Sequence, residues 1–580
     1  MTKHLGEVSF GRFPPFDLKS PVDWAANPHS NRQWQHNLLS LRWLPARFPD
    51  KELPENPEAV HRSMLILKDF LEYHLDPITP KSPYYDTSTG DLTMGIRLPV
   101  LVDYYRFLKS NSRLDRLDLK KLLALEIRKH IPMMLSDEVC AKPSNHWIGL
   151  NRGIFYAILT CPEFDENGQF IKECEARTED ILGRIFDPDG IVKEHSIHYQ
   201  TFNAHQILEL LRILERFDYQ SSLVDRARKI IFATRTFLPY CIKPNGQYHL
   251  IGDTFQRPVE RYLTDFSRYC HAKAPERFAP HKKSLRKDVL PNCLVVAPNA
   301  GFAAIRYKYG PDKKIDVFHL FFTASWHSEV HKQNDDLSFT LFLDGDDIVG
   351  DPGYTDLPEA KALDYRSELR HNTVTSQVLP WTSRLGRPGG TRIVRYHASA
   401  GLGLLQGEHR RIPGVLVRRT IAFVEPCLLF VIDQILSKEP GPFSQRYSFG
   451  RGVDVKRSSD QAVTLDRPGK APLQFEQISG SPSDTETFEN FVVEDLGFRA
   501  SGAKLIPVTG VSFSARGDRL IMAQALYPGD HPGFAFGAPF VELEGDDGVT
   551  IEYTLNGSVV RKTATLVEVS GESGFFIKEI

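Results

Sequence analysis

His331-Lys332-Gln333-Asn334-Asp335-Asp336-Leu337-Ser338-Phe339-Thr340-Leu341-Phe342-Leu343 is a polar cluster that runs into an alternating apolar stretch. Leu337, Phe339, Leu341 and Leu343 share one face of a strand, because successive side chains on a strand point to opposite sides. Gly345-Asp346, Asp351-Pro352-Gly353 and His371-Asn372-Thr373 follow at short intervals. A few strands carrying these groups would gather His, Gln and Asp side chains into one polar pocket on a rigid sheet.

Working outward, the same period of two extends in both directions. Leu294-Val295-Val296, Ala303-Ile305-Tyr307, Phe318-Leu320-Phe322 and Val415-Val417-Arg419-Ile421-Phe423 read as strands. Gly310-Pro311-Asp312, Gly345-Asp346 and Pro388-Gly389-Gly390 read as turns between them. Short β segments continue to Ile580, with no βαβ alternation, so the pattern is an antiparallel sandwich and not a Rossmann sheet.

Upstream of a basic stretch, His281 to Lys287, the period changes to that of a helix. Met64-Leu65-Leu67-Phe70-Leu71, Leu101-Tyr104-Tyr105-Leu108, Leu117-Leu119-Leu122-Leu123-Leu125-Ile127 and Ile207-Leu208-Leu210-Leu211-Ile213-Leu214 are amphipathic. Successive helical hairpins with no strands between them imply an all-helical layer or toroid. Trp24, Trp34, Leu38, Leu39, Leu41 and Trp43 read as an N-terminal cap on the helices. The expected fold class is therefore α+β and multidomain: an N-terminal α/α toroid (an incomplete barrel) followed by antiparallel β-sandwich. The expected boundaries are 1–55 for the cap, 56–285 for the toroid and 286–580 for the sandwich, with a small β subdomain starting at about residue 470.

A chain of 580 residues is too long for one core. Lys plus Arg number 71 against 73 Asp plus Glu, so no bulk field draws in nucleic acid or a membrane surface. Any anionic ligand must be met by local groups. The seven cysteines (140, 161, 174, 241, 270, 293, 427) are odd in number and free of CxxC spacing, which argues against a disulfide framework and a thiolate zinc site. Met1 to Pro15 contain no apolar signal core, and no run approaches about 18 apolar residues. The expectation is a cytoplasmic protein, or a periplasmic or secreted one whose signal has been removed.

The string HKQNDDLSF, a following Gly, then DPG and HNTV, resembles the β-domain signature of heparinase II/III-like polysaccharide lyases, in which a pattern like HxHxDxLSF precedes DPG and HNT. The helical half agrees separately. Ser144-Asn145-His146 opens an apolar helix, and Asp189-Gly190 is followed by Glu194, Ser196 and Tyr199, similar to the family's Asn-His and DG…ExSxxY segments. The resemblance spans most of residues 20 to 430, and heparinase III-type enzymes are closest in pattern.

The resemblance implies β-elimination on a uronic acid glycoside. A base removes the C5 proton, next to the carboxylate, and an acid protonates the departing O4. Removing that proton adds negative charge beside an existing anion, so the site must hold the carboxylate with donors that strengthen as charge develops. Asn145 and His146 suit that role. Tyr199 is the natural proton carrier, a phenol of ordinary pKa ~10 that needs cationic neighbours to act as a base. His331 assists the acid–base step or neutralises charge. Elimination can be syn, with Tyr199 making both transfers, or anti, with a His and Tyr199 sharing them. Arg152, Glu194, Arg366 and Arg370 are the candidates for contacting an anionic chain.

The family also carries a divalent metal, usually zinc. The motif places its ligands at Gln333, Asp351 and His371, and Gln333 stands where a second His is usual. An amide oxygen is a poorer zinc ligand than imidazole and suits harder ions. The expectation is an altered or lost metal: weak zinc, calcium or manganese, or hydrogen bonds in its place.

Read without the resemblance, several of these residues have plainer roles. Asn145 reads as a helix N-cap, and Tyr199, near Phe202, reads equally as a core tyrosine. Asp351 reads as a turn residue, and His371 as a partner of a strand edge. Asp335 and Asp336 read as structural, bonding backbone or orienting His331. His146, His195, His198 and His205 cluster, yet most of 20 histidines are simply part-buried or exposed. Three function classes remain open. They are a lyase on a glycosaminoglycan such as heparan sulfate or a bacterial exopolysaccharide; a glycoside hydrolase pairing Glu194 with Asp189 or Asp351; and a non-catalytic carbohydrate-binding or biosynthesis-associated homologue. The expected partner is an anionic polysaccharide, with no nucleic acid and no membrane span. A homodimer is left open.

Overall fold

The computed structural model describes residues 5–10, 13–19, 21–44, 57–75, 91–111, 117–137, 139, 144–256, 259–274, 290–308, 317–355, 357–382, 386–479, 485–495, 503–531, 534–569 and 574–580. Cys140, the basic stretch 281–287 and the Gly310-Pro311-Asp312 turn lie outside these residues. The chain divides into two compact units. The first takes Met1–Ile185 and Asn203–Lys229; the second takes Phe186–Phe202, Ile230–Phe498 and Gly502–Ile580.

The first unit is helical: α1 (Arg32–Leu39), α2 (Pro57–Leu75), α3 (Asp91–Ser110), α4 (Leu117–Leu135), α5 (His146–Thr160), α6 (Gln169–Ile185), most of α7 (Ile197–Arg216) and the start of α8 (Ser222–Phe237). Trp24 is set edge-on against Phe70 of α2 at 5.0 Å, and Trp34 is fully buried. Glycine lets α3 and α5 touch backbone to backbone. A Cβ on Gly95 would sit 2.7 Å from the Gly149 carbonyl oxygen, and one on Gly153 would sit 2.6 Å from that of Gly95. Beside this contact, Arg97 donates from Nη1 to the Leu39 carbonyl (3.0 Å) and from Nε to His130 Nε2 (3.1 Å). His130 and His74 both meet Glu126, a chain of groups almost wholly buried. Buried charge is tolerated there because each member has a partner.

The second unit is mainly antiparallel sheet. A six-stranded sheet runs in the order Phe576–Glu579, Cys293–Ala297, Phe302–Lys308, Val317–Thr323, Phe339–Leu343, Asp346–Val349. Its pairs include Phe322 with Phe339 and Leu320 with Leu341. It shares one core with an eleven-stranded sheet: Leu294, Phe318 and Leu341 pack in the same cluster as Val417, Ile421, Val431, Phe443 and Tyr447. A four-stranded sheet holds the strands between Asp530 and Thr565, and its Val541, Ile551 and Tyr553 share a second core with Leu404, Phe430 and Ile432 of the eleven-stranded sheet.

The opening stretch differs in detail from its pattern. Leu337 has φ +60 and lies in a turn closed by Ser338 N–H to Asp335 O, so the strand starts at Phe339. Every residue from Phe339 to Leu343 is buried, because both faces of the strand are covered. Arg419 anchors this segment to the sandwich. It makes a two-point pair with Asp433 (2.8 and 2.6 Å) and donates from Nη1 to the Leu337 carbonyl at 3.0 Å.

Candidate active site

The short segment Phe186–Phe202 folds tightly for local reasons. Asp187 Oδ1 accepts from Asp189 N–H (2.9 Å) and Ile191 N–H (2.8 Å), and Gly190 takes φ +85, which a residue with a Cβ rarely adopts. From α7, Gln200 reaches back: its Oε1 accepts from Val192 N–H at 2.6 Å, and its amide donates to Gly190 O at 3.1 Å. The first turn of α7, which carries Tyr199, is thereby fixed to the Asp-Gly turn.

Tyr199 faces His331. The two rings are stacked, with centroids 3.6 Å apart and 18° between planes. His331 has φ +55 and a side chain still 23% exposed. Its Nδ1 lies 3.3 Å from Asp253 Oδ2, and Arg366 Nη2 donates to the same oxygen at 2.6 Å. Gln333 donates to the other oxygen, Asp253 Oδ1, at 2.8 Å. Asp253 is thus a buried carboxylate that ties three candidate residues together. Burial works against the Arg366 charge, but Asp253 outweighs it and raises the guanidinium pKa. The Arg366 side chain stays 46% exposed and open to an anion.

Asp253 was not among the residues singled out from the sequence. It follows Gly252 in a turn after Tyr248–Ile251, and no motif marks it. Asp335 and Asp336, expected to bond backbone or to orient His331, are instead buried ion-pair partners of Lys332. Arg411 and Thr391 also hold Asp336. Burial alone would raise the Asp336 pKa, but Lys332 and Arg411 outweigh it and bring it down to about 2.

Gln333, Asp351 and His371 are all buried. His371 Nδ1 pairs with Asp351 Oδ2 at 2.9 Å, not with a strand edge, and Asp351 Oδ1 accepts from Gly353 N–H at 3.2 Å. The Gln333 amide nitrogen is spent on Asp253 and on Gly353 O at 3.1 Å. Gln333 Oε1 and His371 Nε2 are left buried without a hydrogen-bond partner. Each is an atom of the kind a divalent cation takes as a ligand, and Asp351 orients the imidazole, though against the effect of burial it also raises the His371 pKa and so favours a proton on the ring. Among the described residues, no group of three or more His, Cys, Asp and Glu is arranged to hold a metal.

The other candidates are placed as follows. Asn145 and His146 begin α5 in the first unit. Asn145 is helical in backbone and its side chain makes no capping bond, so the plain N-cap role is not realised. Arg152, also in the first unit, donates to Gln206 at 2.8 Å. Glu194 is buried in the second unit. Arg370 is engaged with the carbonyls of Leu363 (3.1 Å) and Glu489 (3.4 Å) and lies over the Phe491 ring.

Two family descriptions account for most of the chain: Heparinase II/III N-terminus matches residues 6–276, and Heparinase II/III-like, C-terminal matches residues 290–521. The chain belongs to the heparinase II/III-like family of polysaccharide lyases. Solved structures of three lyases share its fold. A heparan sulfate lyase HepC from Pedobacter heparinus superposes with TM-score 0.70 at 16% identity, covering 97% of this chain and 87% of that one. A heparinase III gives TM-score 0.71 at 13% identity, covering 95% and 86%. The chondroitin AC lyase of Streptomyces coelicolor A3, in complex with chondroitin sulphate, gives 0.52 at 9% identity, covering 91% and 85%. No curated protein matches the chain. The helical N-terminal region followed by antiparallel sheet is the toroid-plus-sandwich fold of heparinase III.

Proposed function

We propose that this protein cleaves a uronic acid-containing polysaccharide of the glycosaminoglycan type by β-elimination, leaving 4,5-unsaturated uronate ends. Family membership supports the reaction class. The observation that carries the assignment of residues is the Tyr199–His331 stack with Asp253 behind it.

In this reading the partly exposed Arg366 takes the uronate carboxylate, and its charge offsets the second negative charge that develops when C5 loses its proton. The C5–H bond breaks, its electrons form the C4–C5 double bond, and the C4–O4 bond breaks as O4 gains a proton. Tyr199 supplies that proton, and His331, held by Asp253 through Nδ1, takes the proton from C5 on its other ring nitrogen. Two stacked rings meet the sugar from the same side, which suits removal and delivery on one face. Syn geometry of that kind belongs to a uronate whose C5 hydrogen and O4 are cis. Asn145 and His146, in the first unit, rest on the family resemblance alone.

Gln333 Oε1 and His371 Nε2 would hold a divalent cation of the calcium or manganese kind, with Asp351 orienting His371. Such an ion would supply positive charge and stiffen Gln333, which in turn bonds Asp253. The hydrolase reading has less support, since Asp351 has both oxygens committed to His371 and Gly353.

The test is incubation with heparan sulfate, chondroitin sulfate and uronate-bearing exopolysaccharides. Growth of the ultraviolet absorbance of a conjugated unsaturated uronate is expected on at least one of them. New reducing ends without that absorbance would contradict the proposal.

A further inference from the structure

His195 has φ +59 and is 1% exposed, in the turn just before α7. Both of its ring nitrogens are committed to the loop that leads into His331. Nδ1 lies 3.0 Å from the Val330 carbonyl oxygen, and Nε2 lies 2.9 Å from the His327 amide nitrogen. A carbonyl can only accept and a backbone N–H can only donate, so Nδ1 carries the proton and Nε2 presents its lone pair. One neutral imidazole therefore bridges both ends of the four-residue stretch 327–330. Burial, Lys332 and His327 all act to keep it uncharged.

The next residue extends the attachment to the other side of the site. Ser196 Oγ and Thr254 Oγ1 are 2.8 Å apart, and Thr254 follows Asp253, the carboxylate beside His331. Gly252 packs into the same junction: a Cβ there would lie 2.3 Å from the His195 carbonyl oxygen and 3.6 Å from that of His331. Tyr199 is four residues beyond His195 on the same segment. The His195-Ser196 pair thus connects the backbone that carries Tyr199 to both neighbours of its stacking partner.

We infer that His195 is a positioning residue: its two hydrogen bonds to the 327–330 loop set the His331 ring against Tyr199. It does not itself exchange protons with substrate, since both nitrogens are already occupied. This rests on the lyase reading for its catalytic consequence and on geometry alone for the clamp.

The experiment compares the full-length wild-type protein with His195→Phe and His195→Gln. Phe keeps the volume and removes both bonds; Gln retains one donor and one acceptor. Hydrogen exchange, followed by mass spectrometry of peptides spanning 324–332, reads the clamp without any substrate. His195→Phe is expected to speed exchange of this segment at least tenfold, with peptides of the sheet strands unchanged and His195→Gln intermediate. On a substrate that gives unsaturated product, kcat is expected to fall at least tenfold in His195→Phe with KM within threefold, and to recover partly in His195→Gln. Unchanged exchange at 324–332 in His195→Phe would overturn the clamp. Faster exchange with unchanged kcat would overturn the positioning role. Failure of the wild type to produce unsaturated ends would count against the lyase reading and leave the exchange result to decide the clamp.

Discussion

Asp253 and His331 are joined at 3.3 Å through a carboxylate oxygen that also accepts from Arg366, so one buried group governs an aromatic-stacked imidazole and a half-exposed cation together. Removing its charge should disturb both. Asp253→Asn is expected to lower kcat/KM by about 10- to 100-fold, the cost of losing one charge-assisted hydrogen bond of about 1.5–3 kcal/mol. Arg366→Ala should act mainly through KM if it binds the carboxylate. Steady-state rates followed by unsaturated-product absorbance check both variants.

Gly252 has φ +59 and no room for a Cβ, with the His195 carbonyl oxygen at 2.3 Å. Gly252→Ala is expected to destabilise the fold by more than about 2 kcal/mol, through backbone strain and the displaced carbonyl. Gly153→Ala should cost a similar amount by forcing α5 away from α3, where the gap to Gly95 O is 2.6 Å. Urea unfolding monitored by circular dichroism measures each, and a change under 0.5 kcal/mol in either, the usual size of a neutral surface substitution, would contradict the packing described.

A cation held by the orphaned Gln333 Oε1 and His371 Nε2, as proposed, would stabilise the fold. Calcium or manganese is expected to raise the Tm of chelator-treated protein more than zinc does. His371→Ala should abolish the shift, and Gln333→His should move the preference towards zinc. Thermal melts with each metal, with bound metal measured after dialysis, provide the check.

A buried chain of neutral groups makes a pH statement. His319 Nε2 donates to Tyr240 O at 3.0 Å, so its Nδ1 must accept from His249 Nε2 (2.7 Å). His249 Nδ1 must then accept from the Thr340 hydroxyl (2.7 Å). Burial pushes His319 down to about 3 and His249 well below its ordinary value. The unfolded chain therefore binds more protons than the folded one between pH 6.5 and about 3. Stability contributed by these groups is present above pH 6.5 and is lost as pH falls through that window, by up to about 1.4 kcal/mol per pH unit for each group. Denaturant titrations at pH 7.5, 6.5 and 5.5 should show falling stability, on the order of several tenths of a kcal/mol or more in the last step. A flat profile would contradict the neutral chain.

Periodicity made the architecture legible. The change from a spacing near 3.6 to a spacing of two separates the helices from the sheets, and the strands at 293–297, 302–308, 317–323, 339–343 and 415–424 fall where alternation put them. Local signals overran in one place: Leu337 continues the alternation, but tertiary bonds from Arg419 hold it in a turn. The pairing of Tyr199 with His331 was anticipated only through ordered motifs 132 residues apart, since spacing alone cannot report a contact across the chain. Asp253 and His195 were invisible as site residues for the same reason. Each acts through partners distant in sequence, which neither the Gly252-Asp253 pair nor the place of His195 between Glu194 and Ser196 reveals.

The central claim is that Tyr199, stacked on His331, carries the proton in a β-elimination. The most direct test is the rate of ultraviolet absorbance growth on a cleavable uronate polymer by wild type and Tyr199→Phe, which keeps the ring and removes only the hydroxyl. A fall of at least about 10²-fold in kcat, with Tm and substrate binding retained, is the expected result. A Tyr199→Phe variant that still generates unsaturated ends within a few-fold of the wild-type rate would contradict it.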